Sequence, residues 1–228
     1  AALRGFAADS NHNVRETAIA GLSEVAKHDG DSIYVANLSS PGYQVVLSAA
    51  AALAGSSHPG AAPALLDALD RLTRERRENS RDPRAAILLR LAELGRATDT
   101  SRLAPYAGDF DAVIAAQASA VLTKWTQTAV KANPSPLAVR AEPLGRTFGA
   151  RDTRLKVTMA ASSGGGSWIV RLYPDEAPAT VARVLRLVRA HYYDGLTFHR
   201  VVSNFVIQGG SPDATEYFGD AAFMRDEL

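Results

Sequence analysis

The chain contains no cysteine. This excludes disulfides, thiol nucleophiles and cysteine-ligated metals, and it leaves the compartment open. It also lacks a charge excess of either sign: 25 Lys and Arg stand against 24 Asp and Glu, a formal net charge of +1. A chain so near neutrality offers no global electrostatic argument for nucleic acid or a membrane surface as partner. No apolar run approaches the roughly 18–20 residues that span a bilayer. The N-terminus lacks the basic, apolar, small-residue order of a signal peptide and does not begin with Met. Ala1 to Ala7 reads as the tail of a helix, so the chain is expected to start inside a longer precursor, and its localisation stays unassigned. What the 228 residues do contain, at 46% hydrophobic, suffices for one large domain or two small ones.

The two halves differ in texture. Residues 1–130 are rich in Ala and Leu at helical spacing. From residue 154 onward Val, Gly, Phe and Tyr dominate, in β-type runs. Between them lie Pro134, Pro136 and Pro143. Prolines remove backbone donors and restrict φ, so an extended linker is expected over 131–153. The expected organisation is therefore a helical domain (1–130), the linker, and a β-rich domain (154–228).

The first half carries a weak internal repeat. Val14, Ala18 and Leu22 share one helix face. The pattern recurs at Val45, Ala49 and Leu53, at Pro83, Ile87 and Leu91, and at Ile114, Ala118 and Leu122. Ser40-Pro41 and Asp82-Pro83 read as caps followed by a first-turn proline, and Asp109 or Asp111 could open the fourth helix. Partner helices are expected between these, most clearly at Ala61 to Leu72, with Leu65, Leu69 and Leu72 on one face. Helix pairs at a period of about 30–45 residues indicate an α-solenoid. The lead-in followed by Val14-Arg15, then Ala, then Leu resembles HEAT-like repeats, which implies a protein partner on the helical repeats. Arg71, Arg74, Arg76, Arg77, Arg81, Arg84 and Arg90 form a basic run. Glu75, Glu78 and Asp82 interrupt it and no aromatic residue lies within it, so it reads as a solvated helix end and loop rather than a nucleic-acid surface.

In the second half, Arg154 to Ala160 and Trp168 to Tyr173 read as the two strands of a hairpin around a Ser-Gly turn. The Gly run is no phosphate loop, because a strand and not a helix follows it. A helix is expected from Pro178 to about His191, with Val181, Val184, Leu185 and Val188 inward and Arg183, Arg186 and Arg189 outward. Tyr192-Tyr-Asp-Gly195 is a turn. Thr197 to Val202 and Asn204 to Gln208 are short strands, and Gly209-Gly210 ends the second.

Two motifs in this order, Tyr193-Asp-Gly-Leu-Thr-Phe-His-Arg200 and Asn204-Phe-Val-Ile-Gln-Gly-Gly210, resemble the N-terminal part of the cyclophilins, the peptidyl-prolyl cis/trans isomerases. Phe223 to Glu227 resembles the stretch that follows in that family. The resemblance runs from about Arg154 to Leu228. It implies a closed antiparallel β-barrel capped by helices, with proline-containing peptides or unfolded protein clients as substrates. Position by position, it makes Arg200 the catalytic arginine. Phe205 becomes the ring-packing aromatic, Val206 a pocket residue where many members carry Met, Gln208 the group bonding substrate backbone, and His199 a supporting residue. Ser203 and Ser211 depart from the usual proline and aspartate. Residues 213–219 replace a glycine-rich loop beside the groove. The family's remaining pocket residues would lie beyond Leu228, so the chain is expected to hold part of such a domain.

These residue types suit the reaction. An X–Pro bond has nearly equal cis and trans energies but interconverts slowly, because amide resonance opposes rotation. Rotation localises a lone pair on the prolyl nitrogen. A guanidinium aimed there stabilises the twisted state above the planar one. Arg stays charged throughout, so no acid, base, nucleophile, cofactor or metal is called for. Two other site readings are weaker: Ser203, His199 and Asp194 as a hydrolytic triad lack a nucleophile elbow, and His191 with His199 as a metal pair lack a supporting carboxylate pattern. The expected function is prolyl isomerisation in protein folding. The alternative is a helical-repeat scaffold carrying an inactive cyclophilin remnant.

Overall fold

The computed structural model describes residues 2–138 and 153–214. The chain divides near Ala138 into two compact units. The first is helical: α1 (Ala2–Phe6), α2 (His12–Ala26), α3 (Asp31–Asn37), α4 (Tyr43–Ala52), α5 (Ala61–Arg74), α6 (Arg81–Leu94), α7 (Thr100–Leu103) and α8 (Ala112–Thr126). The long helices pack in succession, α2 on α4, α4 on α6, and α6 on α8. The intervening helices form companions to them: α3 packs on α4 and α5, α5 on α6, and α7 on α8.

The spacing read from the sequence is what fills this core. Val45, Ala49 and Leu53, Ile87 and Leu91, and Ile114, Ala118 and Leu122 are all buried, as are Leu65, Leu69 and Leu72. Each such Leu or Ile contributes about 1.5–3 kcal/mol relative to exposure. Val14 differs: it lies one turn too early on α2 and is exposed, while Ala18 and Leu22 are buried. Helix starts follow local chemistry. Asn11 caps α2 through its side-chain oxygen, which accepts from the Asn13 and Val14 amides. Asp111 caps α8 in the same way, accepting from Val113 and Ile114. The two Ser/Asp-Pro caps do not form. Gly42 precedes α4 without a side-chain cap, and α6 begins at Arg81, placing Pro83 in its first turn. A proline is tolerated there because its missing N–H has no helical acceptor.

The basic run is largely solvated, with Arg74, Arg76 and Arg81 exposed, but one member departs from it. Arg84 is fully buried. Its Nη1 donates to both carboxylate oxygens of Asp109, at 2.9 and 2.7 Å, and Asp109 is equally buried. The guanidinium also lies 4.3 Å from the Phe110 ring centre. Arg81 pairs with the buried Asp111 at 2.6 Å, Arg90 pairs with Glu93 at 2.7 Å, and Arg71 donates to the Leu38 and Ser40 carbonyls. Arg81 and Arg84 have carboxylate partners, Asp111 and Asp109, that are distant in sequence.

The second unit holds β1 (Thr153–Thr158), β2 (Ser167–Leu172), α9 (Pro178–Arg189), β3 (Phe198–Val202) and β4 (Val206–Gly209). β1 and β2 pair antiparallel from Thr153–Leu172 to Thr158–Ser167. β3 and β4 form a second antiparallel pair. The described strands therefore make two two-stranded sheets. Pro178 opens α9 at its first position, as φ near −65° favours. Val181, Leu185 and Leu187 are buried on it, whereas Val188 is exposed. Arg183, expected outward, is buried instead at 9% exposure. Two residues on from Val181, it lies about 200° round α9, on the side of the buried Leu187.

Candidate active site

The candidate residues lie on the β3–β4 hairpin. Arg200 stands directly across from Gln208, Val201 from Ile207, and Val202 from Val206. Side chains alternate between the faces of a strand, so Arg200, Val202, Val206 and Gln208 share one face and Val201 and Ile207 the other. The Arg200 Nη1 donates to the Gln208 Oε1 at 2.6 Å. Phe205 sits in the connecting turn, where its amide donates to the Val202 carbonyl at 3.1 Å. Asn204 adopts a left-handed φ of 56° just before it, a conformation Asn tolerates. The Arg200 guanidinium lies 6.0 Å from the centre of the Phe205 ring. Phe205 is 76% exposed. The hairpin thus brings a cation, an amide and an open aromatic face together on one surface, with Val206 half-buried beside them.

The Gly209-Gly210 break has a steric cause. A Cβ on Gly209 would lie 2.8 Å from the Phe198 ring and 2.9 Å from the Thr197 carbonyl oxygen. Gly210 has φ +89°, and a Cβ there would meet the Tyr193 ring at 3.1 Å. The Tyr193 turn and Gly210 are therefore two sides of one contact, although they lie 17 positions apart in the sequence. The pairing is irregular between Phe198 and Arg200, at His199. His199 is half-buried, and its Nδ1 has no hydrogen-bond partner among the described residues.

The rival site readings do not assemble. Asp194 pairs with His191 at 2.8 Å on an exposed turn, not with His199. No cluster of three or more His, Asp or Glu side chains suited to a metal occurs among the described residues. One contact that the sequence did not reveal joins the two hairpins: the Trp168 and Phe198 rings lie 5.9 Å apart. Most of the 213–219 loop and all of Phe223 to Glu227 fall outside the described residues.

The second half of the chain is similar in sequence to known proteins. Residues 156–227 match the family model described as cyclophilin type peptidyl-prolyl cis-trans isomerase. Over 73 residues the chain is 41% identical to a Staphylococcus haemolyticus protein named as a peptidyl-prolyl cis-trans isomerase, covering 32% of this chain and 36% of that protein. A Staphylococcus aureus protein of the same name is 41% identical over 69 residues, covering 30% of this chain and 34% of that one. A Streptococcus pyogenes protein, named as a bifunctional phosphatase and peptidyl-prolyl cis-trans isomerase, is 43% identical over 68 residues, covering 30% of this chain and 14% of that one. The chain spans about a third of the length of the first of these relatives. No solved structure matches. Residues 156–227 carry the sequence of a cyclophilin-type peptidyl-prolyl cis-trans isomerase domain.

Proposed function

We propose that the protein is a peptidyl-prolyl cis/trans isomerase acting on proline-containing peptides or unfolded chains in protein folding. The observation that carries this reading is the Arg200–Gln208 pair beside the exposed Phe205 ring, on one face of one hairpin. Arg200 is the catalytic residue. As the X–Pro bond twists, its guanidinium donates to the prolyl nitrogen whose lone pair has become localised. Phe205 offers an apolar floor to the pyrrolidine ring. Val206 lines the pocket beside it, with a smaller side chain than the Met many cyclophilins carry.

Gln208 has two tasks. Its oxygen holds the guanidinium at 2.6 Å, which fixes the direction of the remaining donors. Its amide nitrogen is a donor suited to a carbonyl of the substrate backbone. His199, at the irregular point of β3, positions Arg200 as its sequence neighbour. No cofactor enters the reaction, because resonance is lost and regained without a proton leaving carbon, nitrogen or oxygen.

We further assign residues 1–130 to a HEAT-like solenoid that binds a protein partner, 131–153 to a linker, and 154–228 to the cyclophilin-type domain. The succession of α2, α4, α6 and α8, each with a companion helix, supports the solenoid. In the whole protein the hairpins belong to a closed barrel. Val201 at 68% and Ile207 at 59% exposure, on the face opposite the site, are apolar surface that further strands would cover. The test is a prolyl-peptide exchange assay on the whole protein. Acceleration over the uncatalysed rate is expected, and its absence at micromolar protein would favour the scaffold reading.

A further inference from the structure

The segment that joins the units starts as part of the helical unit's architecture. α8 ends at Thr126, and Gln127 takes the left-handed conformation (φ 55°, ψ 21°) that reverses the chain. The Val130 amide then donates to Thr123 Oγ1 at 2.9 Å, and the Val130 side chain packs against the helical core. Further along, the Asn133 amide donates to the Ala107 carbonyl at 2.8 Å, and the Ser135 amide to the Asp109 carbonyl at 3.0 Å. Alternate amides of residues 133–135 are thus presented, as in extended chain, to carbonyls at the end of the 3-10 turn Ala104–Gly108 and at Asp109, which follows it.

The prolines fit this register. Pro134 and Pro136 alternate with the two donors, so the residues that lack an N–H fall where none is used. Their other consequence is that the outer side of the strand carries no matching pair of donors, which discourages a further strand from adding there. Asp109 couples the segment to the core. Its backbone carbonyl holds Ser135 while its carboxylate holds the buried Arg84.

We propose that residues 129–136 are a docked strap that closes the C-terminal end of the helical unit. A helical stack needs a terminal cap because its last member has a neighbour on one side only, and the strap provides one without a further helix. The same strap sets the point from which the chain departs toward the second unit. It is linked through Asp109 to the ion pair inside the stack.

Amide hydrogen exchange on the full chain tests this. The Val130, Asn133 and Ser135 amides should exchange at least about tenfold more slowly than an unstructured chain. The double variant N133P/S135P removes both donors without loosening the backbone. It should abolish the protection at Val130 while the α4 and α6 amides keep theirs. P134A/P136A retains both donors and should retain the protection. Arg84→Met should speed exchange at Ser135, through Asp109. Free-chain exchange at Asn133 and Ser135 in the unaltered protein would overturn the proposal, as would unchanged Val130 protection in N133P/S135P.

Discussion

Replacing Arg200 with Ala should separate catalysis from stability. The side chain is exposed; it donates to Gln208 across the hairpin, and its guanidinium lies 6.0 Å from the Phe205 ring centre. A cross-strand pair of this kind contributes roughly 0.2–1 kcal/mol to the hairpin. The transition-state contribution is larger. Removing one preorganised donor aimed at a developing lone pair costs about 2.7–4 kcal/mol, or roughly a hundred- to a thousand-fold in rate. Arg200→Ala should therefore lose that factor in kcat, with KM nearly unchanged and the melting temperature within a few degrees. Arg200→Lys should recover only part, because a point-like ammonium cannot both hold the Gln208 oxygen and present a fixed planar donor. Gln208→Ala should cost less than Arg200→Ala. In the double variant the two losses should not add, since Gln208 acts in part through Arg200. The assay is prolyl-peptide exchange by line-shape analysis on the whole protein, with a thermal melt of each variant. Wild-type turnover in Arg200→Ala would remove the guanidinium from its role. A rate loss matched by loss of the fold would assign Arg200 to structure instead.

Three further outcomes follow from the geometry. Arg84→Met leaves Asp109 charged and buried without its cation, and should destabilise the helical unit by about 3–5 kcal/mol in chemical denaturation. R84M/D109L should recover most of that loss, and a double variant weaker than either single one would contradict the ion-pair account. Gly209→Ala forces a Cβ against the Thr197 carbonyl and should cost about 1–3 kcal/mol, seen as lost dispersion of the β3–β4 amide resonances. Finally, burial and the Glu75 and Asp70 carboxylates raise the pKa values of Tyr43 and Tyr106 above the ordinary tyrosine value, and burial raises that of Tyr34. Above about pH 10 the unfolded chain loses these protons before the folded one does, so stability falls as pH rises, by up to about 1.4 kcal/mol per pH unit for each tyrosine. Melts between pH 8 and 11.5 should be level at first and then decline. Constant stability across that range would refute it.

Much of the helical core was legible because its signal is periodic and local. Ala and Leu three to four residues apart can be buried only if the segment is a helix, and the burial of Ala49, Ile87 and Ala118 follows from that alone. That Asp109 or Asp111 would open α8 was legible for the same reason, and it is Asp111 that does so, bonding amides two and three residues on. Within the basic run the burial of Arg84 was not legible, because a charge's environment is not local. Arg84 resembles its solvated neighbours until Asp109 and Phe110 fold against it. The burial of Arg183 was not legible for the same reason: its helical phase sets it away from Val181 and Leu185, yet it is buried.

The candidate site divides along the same line. The sequence by itself determined which residues are present and that Arg200 and Gln208 lie on two short strands, because period-2 alternation and the Gly-Gly break are properties of neighbours; the strand expected from Asn204 begins instead at Val206, leaving Phe205 in the turn. Tertiary structure decided the register that sets Arg200 opposite Gln208, the ring of Tyr193 that requires Gly210, and the docking of Asn133 and Ser135 on the loop after α7. Register and docking depend on groups that meet only after the chain has turned back on itself. Spacing along the sequence constrains such meetings but does not specify them.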